Sequence, residues 1–154
     1  MALVGERVCV DRWQATVAGL SPYEAPTEGE AMGSAGVVPR GFIAAGVASL
    51  ACEAAGKRLC AVDEWLEACS GAEGRTWPYG NEYDASGCNP HYAGRHPVVD
   101  YSGTSTGVWD SEHMNDPGIN QQPGTLAWGG EFADCVTPDG VHDLHGNLHE
   151  WVAD

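Results

Sequence analysis

The chain has 154 residues and a formal net charge of −15, from 22 acidic and 7 basic side chains. That length suits a single domain over 1–154 with one core. The charge repels phosphate backbones, which argues against nucleic acid as a partner, and it favours cations, calcium in particular. No apolar run reaches the roughly 18 residues of a membrane span.

Composition narrows the class further. Hydrophobic residues at 43% and charged residues at 19% are those of a folded chain. Glycine at 21 and proline at 9 predict that loops outweigh regular structure. Six tryptophans against two phenylalanines predict that large amphipathic rings carry much of the packing. The six cysteines are Cys9, Cys52, Cys60, Cys69, Cys88 and Cys135. An even count favours disulfides and an extracytoplasmic setting, and no CxxC pair suggests a zinc ribbon. Met1–Val10 shows no leader-like pattern, which a removed leader reconciles with the cysteines.

Taken in order, residues 4–17 read as β-rich, with Val8, Val10, Trp13 and Val17 spaced along them. Asp11-Arg12-Trp13 reads as a salt bridge beside a packed ring. Residues 21–38 are aperiodic and rich in Pro, Gly and Ala, hence loop. Residues 39–55 form the clearest helix, because Phe42, Ile43, Val47, Leu50, Ala51 and Ala54 recur every three or four positions. Gly56 suits a left-handed cap, and Lys57-Arg58 place positive charge at the carbonyl end. A second helix is expected over 62–69, with Asp63 and Glu64 in its first turn and Trp65 and Cys69 on one face. Beyond Gly71 regular structure fades up to Asp139. Cys88 and Cys135 bracket much of that region and could staple it.

Asp143, His145, Asn147 and Glu150 crowd the closing stretch around Gly146. Carboxylates at Asp143 and Glu150, with a glycine turn that exposes carbonyls, suit calcium. The bland alternative is that Asp143, Asn147 and Glu150 only hydrogen-bond the turn. A rival lies in His142, His145 and His149, whose spacing on a helix would suit zinc or iron. Gly146 argues against a helix there.

Three stretches together carry a resemblance. Ala51-Cys52-Glu53-Ala54-Ala55-Gly56-Lys57-Arg58-Leu59-Cys60, followed by 63–69, resembles the helix–AGKRLP–helix signature of the formylglycine-generating enzyme (sulfatase-modifying factor) superfamily. Trp77-Pro78-Tyr79-Gly80-Asn81 resembles its YPWGN turn. Val141–Val152 resembles its YDMxGNVWEW signature. The chain departs at Cys60, Tyr79 and His149, and in a long insert over 101–135. Cys9–Trp13 fits the family's opening strand.

The resemblance implies an α+β, loop-rich C-type-lectin-like fold, C-terminally incomplete at Asp154. It implies calcium held by the Asp143 side chain, the Gly146 and Leu148 carbonyls and the Glu150 side chain. It also implies a second calcium near Asn89 and the Pro90 carbonyl. Family members oxidise a cysteine of a protein or peptide substrate with copper, or are non-haem iron oxidases; others are non-catalytic binding modules. The copper-binding cysteines lie in a segment that follows the closing motif, so no catalytic residue is expected within 1–154. Copper or iron would enter only with that segment. Cys52 and Cys69 match disulfide cysteines whose partners lie in the same segment. The competing expectation is a secreted or surface binding module, with Trp109 and Trp128 on the insert supplying contacts.

Overall fold

The computed structural model describes residues 1–89 and 96–154. Two short antiparallel ribbons open the chain. The first pairs β1 (Ala2–Val4) with β2 (Val8–Val10), Val4 opposite Val8. The chain reverses between them because Gly5 and Glu6 both adopt left-handed φ, near +55° and +57°. Two such residues at the centre of a turn match the right-handed twist of the flanking strands. The second ribbon pairs β3 (Ala15–Val17) with β4 (Ala31–Gly33). β4 falls in the stretch expected to be loop, since Ala-Met-Gly carries no alternation.

Each ribbon is covered by one helix. α1 (Ala45–Ala54) packs on β4, and Val17, Ala31 and Ala51 are buried between them with Ile43 and Cys52 alongside. α1 begins six residues later than the periodicity suggests, after Pro39, Gly41 and an extended Ala44. Ile43 reaches the same core from that extended lead-in. The helix ends as expected. Gly56 takes φ +70°, its N–H bonds the Glu53 carbonyl at 2.9 Å, and the Lys57 N–H bonds the Cys52 carbonyl at 2.8 Å. This is a Schellman closure, which a Cβ at position 56 would disfavour. Lys57 and Arg58 follow that end and also reach partners elsewhere. Lys57 pairs with Asp11 at 2.8 Å and also donates to the Ala31 carbonyl, and Arg58 pairs with Glu64.

α2 (Val62–Ser70) covers the first ribbon. Ala61 has no side-chain acceptor to cap it, but Glu64 turns back to accept the Ala61 N–H at 2.9 Å. Trp65 and Cys69 share the inward face, against Ala2, Val4, Ala68, Val141 and Leu144. That cluster joins both ends of the chain. The remaining region is less irregular than expected. It holds α3 (Pro97–Ser102), α4 (Ser111–Met114) and a 3-10 turn (Ile119–Gln121), around Val98, Val108 and Ile119. Cys88 and Cys135, which could staple this region, do form a disulfide, across 47 residues. Closing a loop of that length removes about 4 kcal/mol of unfolded-chain entropy in the simplest chain model. Cys9, Cys52, Cys60 and Cys69 are free thiols, and Cys52 and Cys69 are not joined to each other.

The tryptophans pack differently from expectation. None of the six is fully buried, and Trp109, Trp128 and Trp151 are each about half exposed, at 52%, 50% and 51%. Small residues fill the core, and the rings line its margins, where the N–H groups of Trp65, Trp109 and Trp151 find acceptors. Trp151 donates to the Ile43 carbonyl at 3.0 Å, and Trp109 to the Ser105 carbonyl at 2.9 Å. Among the described residues, no helix is long and apolar enough to cross a membrane.

Candidate functional site: the closing turn

The stretch 141–150 is held as a tight turn by residues that tolerate left-handed backbone. Asp143, Gly146 and Asn147 take φ of +64°, +78° and +62°. Short Asn and Asp side chains bear this conformation better than other non-glycine residues. A Val136–His142 bridge leads into the turn, and the Asp143 N–H bonds the Cys135 carbonyl at 3.0 Å beside the disulfide. The Leu148 N–H bonds the Gly146 carbonyl at 2.8 Å.

Asn147 is the hub. Its side-chain oxygen accepts from the Ala127 N–H at 2.8 Å and from the Asn89 amide at 2.9 Å. Its amide donates to the Ala127 carbonyl at 3.1 Å and to the Gln14 side-chain oxygen at 2.9 Å. Four bonds saturate an asparagine side chain. Ala127 offers one backbone donor and one backbone acceptor, so the orientation of the Asn147 amide is fixed. That in turn fixes Gln14, whose NH₂ must face the other way. It donates to Glu150 at 2.7 Å and to the Asp143 carbonyl at 3.1 Å. The other Glu150 oxygen accepts from the Trp65 indole. Asp143, only 5% exposed, accepts from the Gly130 N–H at 2.8 Å.

The two carboxylates are therefore held by neutral donors. No Lys or Arg ion pair reaches either one among the described residues. Burial pushes both carboxyls above the ordinary carboxylate range. For Asp143 the Gly130 N–H and then the nearby His142 partly oppose the shift, and Glu131 adds to it. For Glu150 the Trp65 and Gln14 donors oppose it, and the nearby Asp143 adds to it. Glu150 is partly buried, and both of its carboxylate oxygens are engaged by donors.

Asp143, Gly146, Leu148 and Glu150 thus belong to one turn, and Asn89 is bonded into it through Asn147. Pro90 lies outside the described residues. The histidines do not converge. His142 stacks on Trp13 with centroids 5.9 Å apart, His145 sits edge-on to Trp77 at 4.8 Å, and His149 is exposed. Among the described residues, no group of three or more His, Cys, Asp or Glu side chains is placed to hold a metal ion. Two carboxylates with main-chain carbonyls are a different donor set, that of a hard cation. The Trp77–Gly80 turn is closed by reciprocal backbone bonds of 2.9 and 3.1 Å, and the Trp77 ring it carries lies against His145. Gln14, the Trp65 indole and the 125–130 backbone carry no sequence signal as site residues; only the folded chain brings them to the turn. The turn also forms part of the wall of a cavity of about 1260 Å³, with Gln14, Cys52, Cys60 and Trp65 nearby on it.

The match to known proteins falls on this same architecture. Residues 45–154 match the sulfatase-modifying factor enzyme 1-like domain, FGE-sulfatase, from the start of α1 through the closing turn. The chain belongs to the FGE-sulfatase family. No curated protein matches it significantly.

Proposed function

We propose that residues 1–154 form a sulfatase-modifying-factor-type domain with the C-type-lectin-like fold of its family, stapled by calcium at the closing turn. The ion would take the Asp143 and Glu150 side chains and the Gly146 and Leu148 carbonyls. The observation that carries this reading is a pair of carboxylates, Asp143 buried and Glu150 partly buried, that no Lys or Arg side chain pairs with among the described residues. Buried charges that persist are paired or bind metal. Four protein oxygens leave room for water in a calcium shell of six to eight. The Gly146 carbonyl keeps a second lone pair while accepting from Leu148, as does each Glu150 oxygen. A second calcium at Asn89 and the Pro90 carbonyl extends the same reading. The N-terminal 44 residues, outside the matched segment, share the core cluster of Ala68, Val141 and Leu144. That supports one domain over the whole of 1–154.

Residues 1–154 do not by themselves carry formylglycine chemistry in this reading. Cys88 and Cys135 are consumed in a disulfide, burial raises the thiols of Cys52, Cys60 and Cys69 away from the reactive thiolate, and Cys9 is an exposed single thiol where the copper chemistry uses two. Copper or iron, and a protein or peptide substrate, would enter only if a longer chain is catalytic. Incubating the 154-residue protein with copper and a Cys-x-Pro-x-Arg peptide is expected to give no aldehyde by mass spectrometry. Turnover would overturn this part of the reading. The disulfide supports an extracytoplasmic setting. A second reading, a non-catalytic secreted or surface binding module, draws on the half-exposed rings of Trp109 and Trp128, which suit contact with a protein or glycan.

A further inference from the structure

Gln14 precedes β3, far outside the matched segment, yet its side chain touches three parts of the closing turn. Its oxygen takes the Asn147 amide at 2.9 Å, and its NH₂ reaches the Asp143 carbonyl at 3.1 Å and the Glu150 carboxylate at 2.7 Å. No alternative flip of the amide satisfies this arrangement. Turned over, Gln14 would face its oxygen to the carboxylate and its NH₂ to the Asn147 NH₂. With Trp65 bonded to the second oxygen, the Glu150 carboxylate is held at both ends.

We propose that Gln14 is a positioning residue for the calcium turn, so that cation binding and docking of the N-terminal strands are coupled. This rests on the calcium reading above. A carboxylate ligand whose plane is fixed by outer hydrogen bonds is preorganised for the ion, and losing such a partner typically weakens metal binding about 10–100-fold. Gln14 also ties the main chain of Asp143 to the second ribbon. Arg40 bonds back to that ribbon, its N–H donating to the Ala15 carbonyl at 2.9 Å. Calcium that favours the ordered turn must therefore favour the ordered ribbon, because the same amide serves both.

Two substitutions separate positioning from plain stabilisation. Gln14→Ala removes the latch. Gln14→Glu keeps its shape but turns a donor into a third carboxylate oxygen against Glu150, which repels in the metal-free protein and attracts a cation. Calcium titration by calorimetry on the whole chain, with melting curves in EDTA and in calcium, reads both effects. Gln14→Ala is expected to bind calcium about 10–100-fold more weakly than wild type. Gln14→Glu is expected to melt lower in EDTA and to gain more from calcium than wild type does. Hydrogen exchange across Ala15–Val17 is expected to slow with calcium in the wild type and much less in Gln14→Ala. Equal calcium affinity of Gln14→Ala and wild type would overturn the proposal while leaving the calcium reading standing. Parallel losses in both variants, in EDTA and in calcium alike, would show a merely structural role. If Gln14→Ala does not fold, Gln14→Glu decides alone. A wild type that does not respond to calcium would overturn the calcium reading, and this proposal with it.

Discussion

Asn147 concentrates more of the site than any other side chain. Left-handed backbone, near-complete burial and four hydrogen bonds meet at one position, so its replacement is informative. Asn147→Asp keeps the shape and both acceptor contacts. It loses the two bonds given to Gln14 and the Ala127 carbonyl, and sets a charge against those acceptors. An expected cost of about 3 kcal/mol follows from unsatisfied and mispaired buried polar groups. Thermal melting should fall by roughly 10 °C for a chain of this size. Part of this site is legible in the residues. Asp143, Gly146 and Asn147 announce a turn by type, as their left-handed backbone bears out, while the cation suggested by the two carboxylates belongs to the proposed function. Gln14 is not legible, because a lone glutamine in a strand-like stretch has no pattern and its partners lie more than a hundred positions away.

At the scale of elements, the two helices are the most readable part of the chain, since capping chemistry is local. Glu64 is the clearest case. Its bonds to Arg58, and then to the Ala61 N–H, hold its carboxyl at about 2, against an ordinary value of 4.5. A depressed acid stabilises the fold above its ordinary value and loses that contribution as pH falls from about 4.5 toward 2. Melting temperature measured across that window should drop less steeply in Glu64→Gln than in wild type. The glutamine keeps an acceptor for Ala61 but no charge for Arg58. Glu64→Ala should also melt lower at neutral pH, because it leaves the first turn uncapped. A Glu64→Gln profile parallel to wild type would rule the ion pair out as the source. The start of α1 is less legible. Periodicity in Phe42 and Ile43 is real, but Ile43 satisfies its burial from an extended lead-in, so the same spacing serves a different backbone. β4, Ala-Met-Gly, carries no alternation to mark it, whereas β2 and β3, of the same length, lie in the valine-spaced stretch that reads as β-rich.

The whole molecule is stabilised by links between distant parts of the chain more than by regular structure. Each helix covers one ribbon, the first core cluster joins Ala2 and Val4 to Val141 and Leu144, and the Cys88–Cys135 disulfide encloses much of the irregular region. The two cysteines around a loop-rich segment left that pairing open as one possibility, which the structure realises, whereas nothing marked the short helices inside it. The packing of small core residues with rings at the margin also ran against the tryptophan count, because indole N–H groups need acceptors that the margin supplies. In this architecture the closing turn is where the N-terminal strand region, α2, the 125–130 backbone and the disulfide meet, and the account rests on a cation completing it. The direct test is melting of the 154-residue protein in EDTA and in calcium, beside Glu150→Gln. Calcium at about 100 times its dissociation constant should add about 2.7 kcal/mol. That raises the wild-type midpoint by several degrees, reversibly on chelation, with little or no gain in Glu150→Gln. A wild-type midpoint identical in EDTA and in millimolar calcium would contradict it.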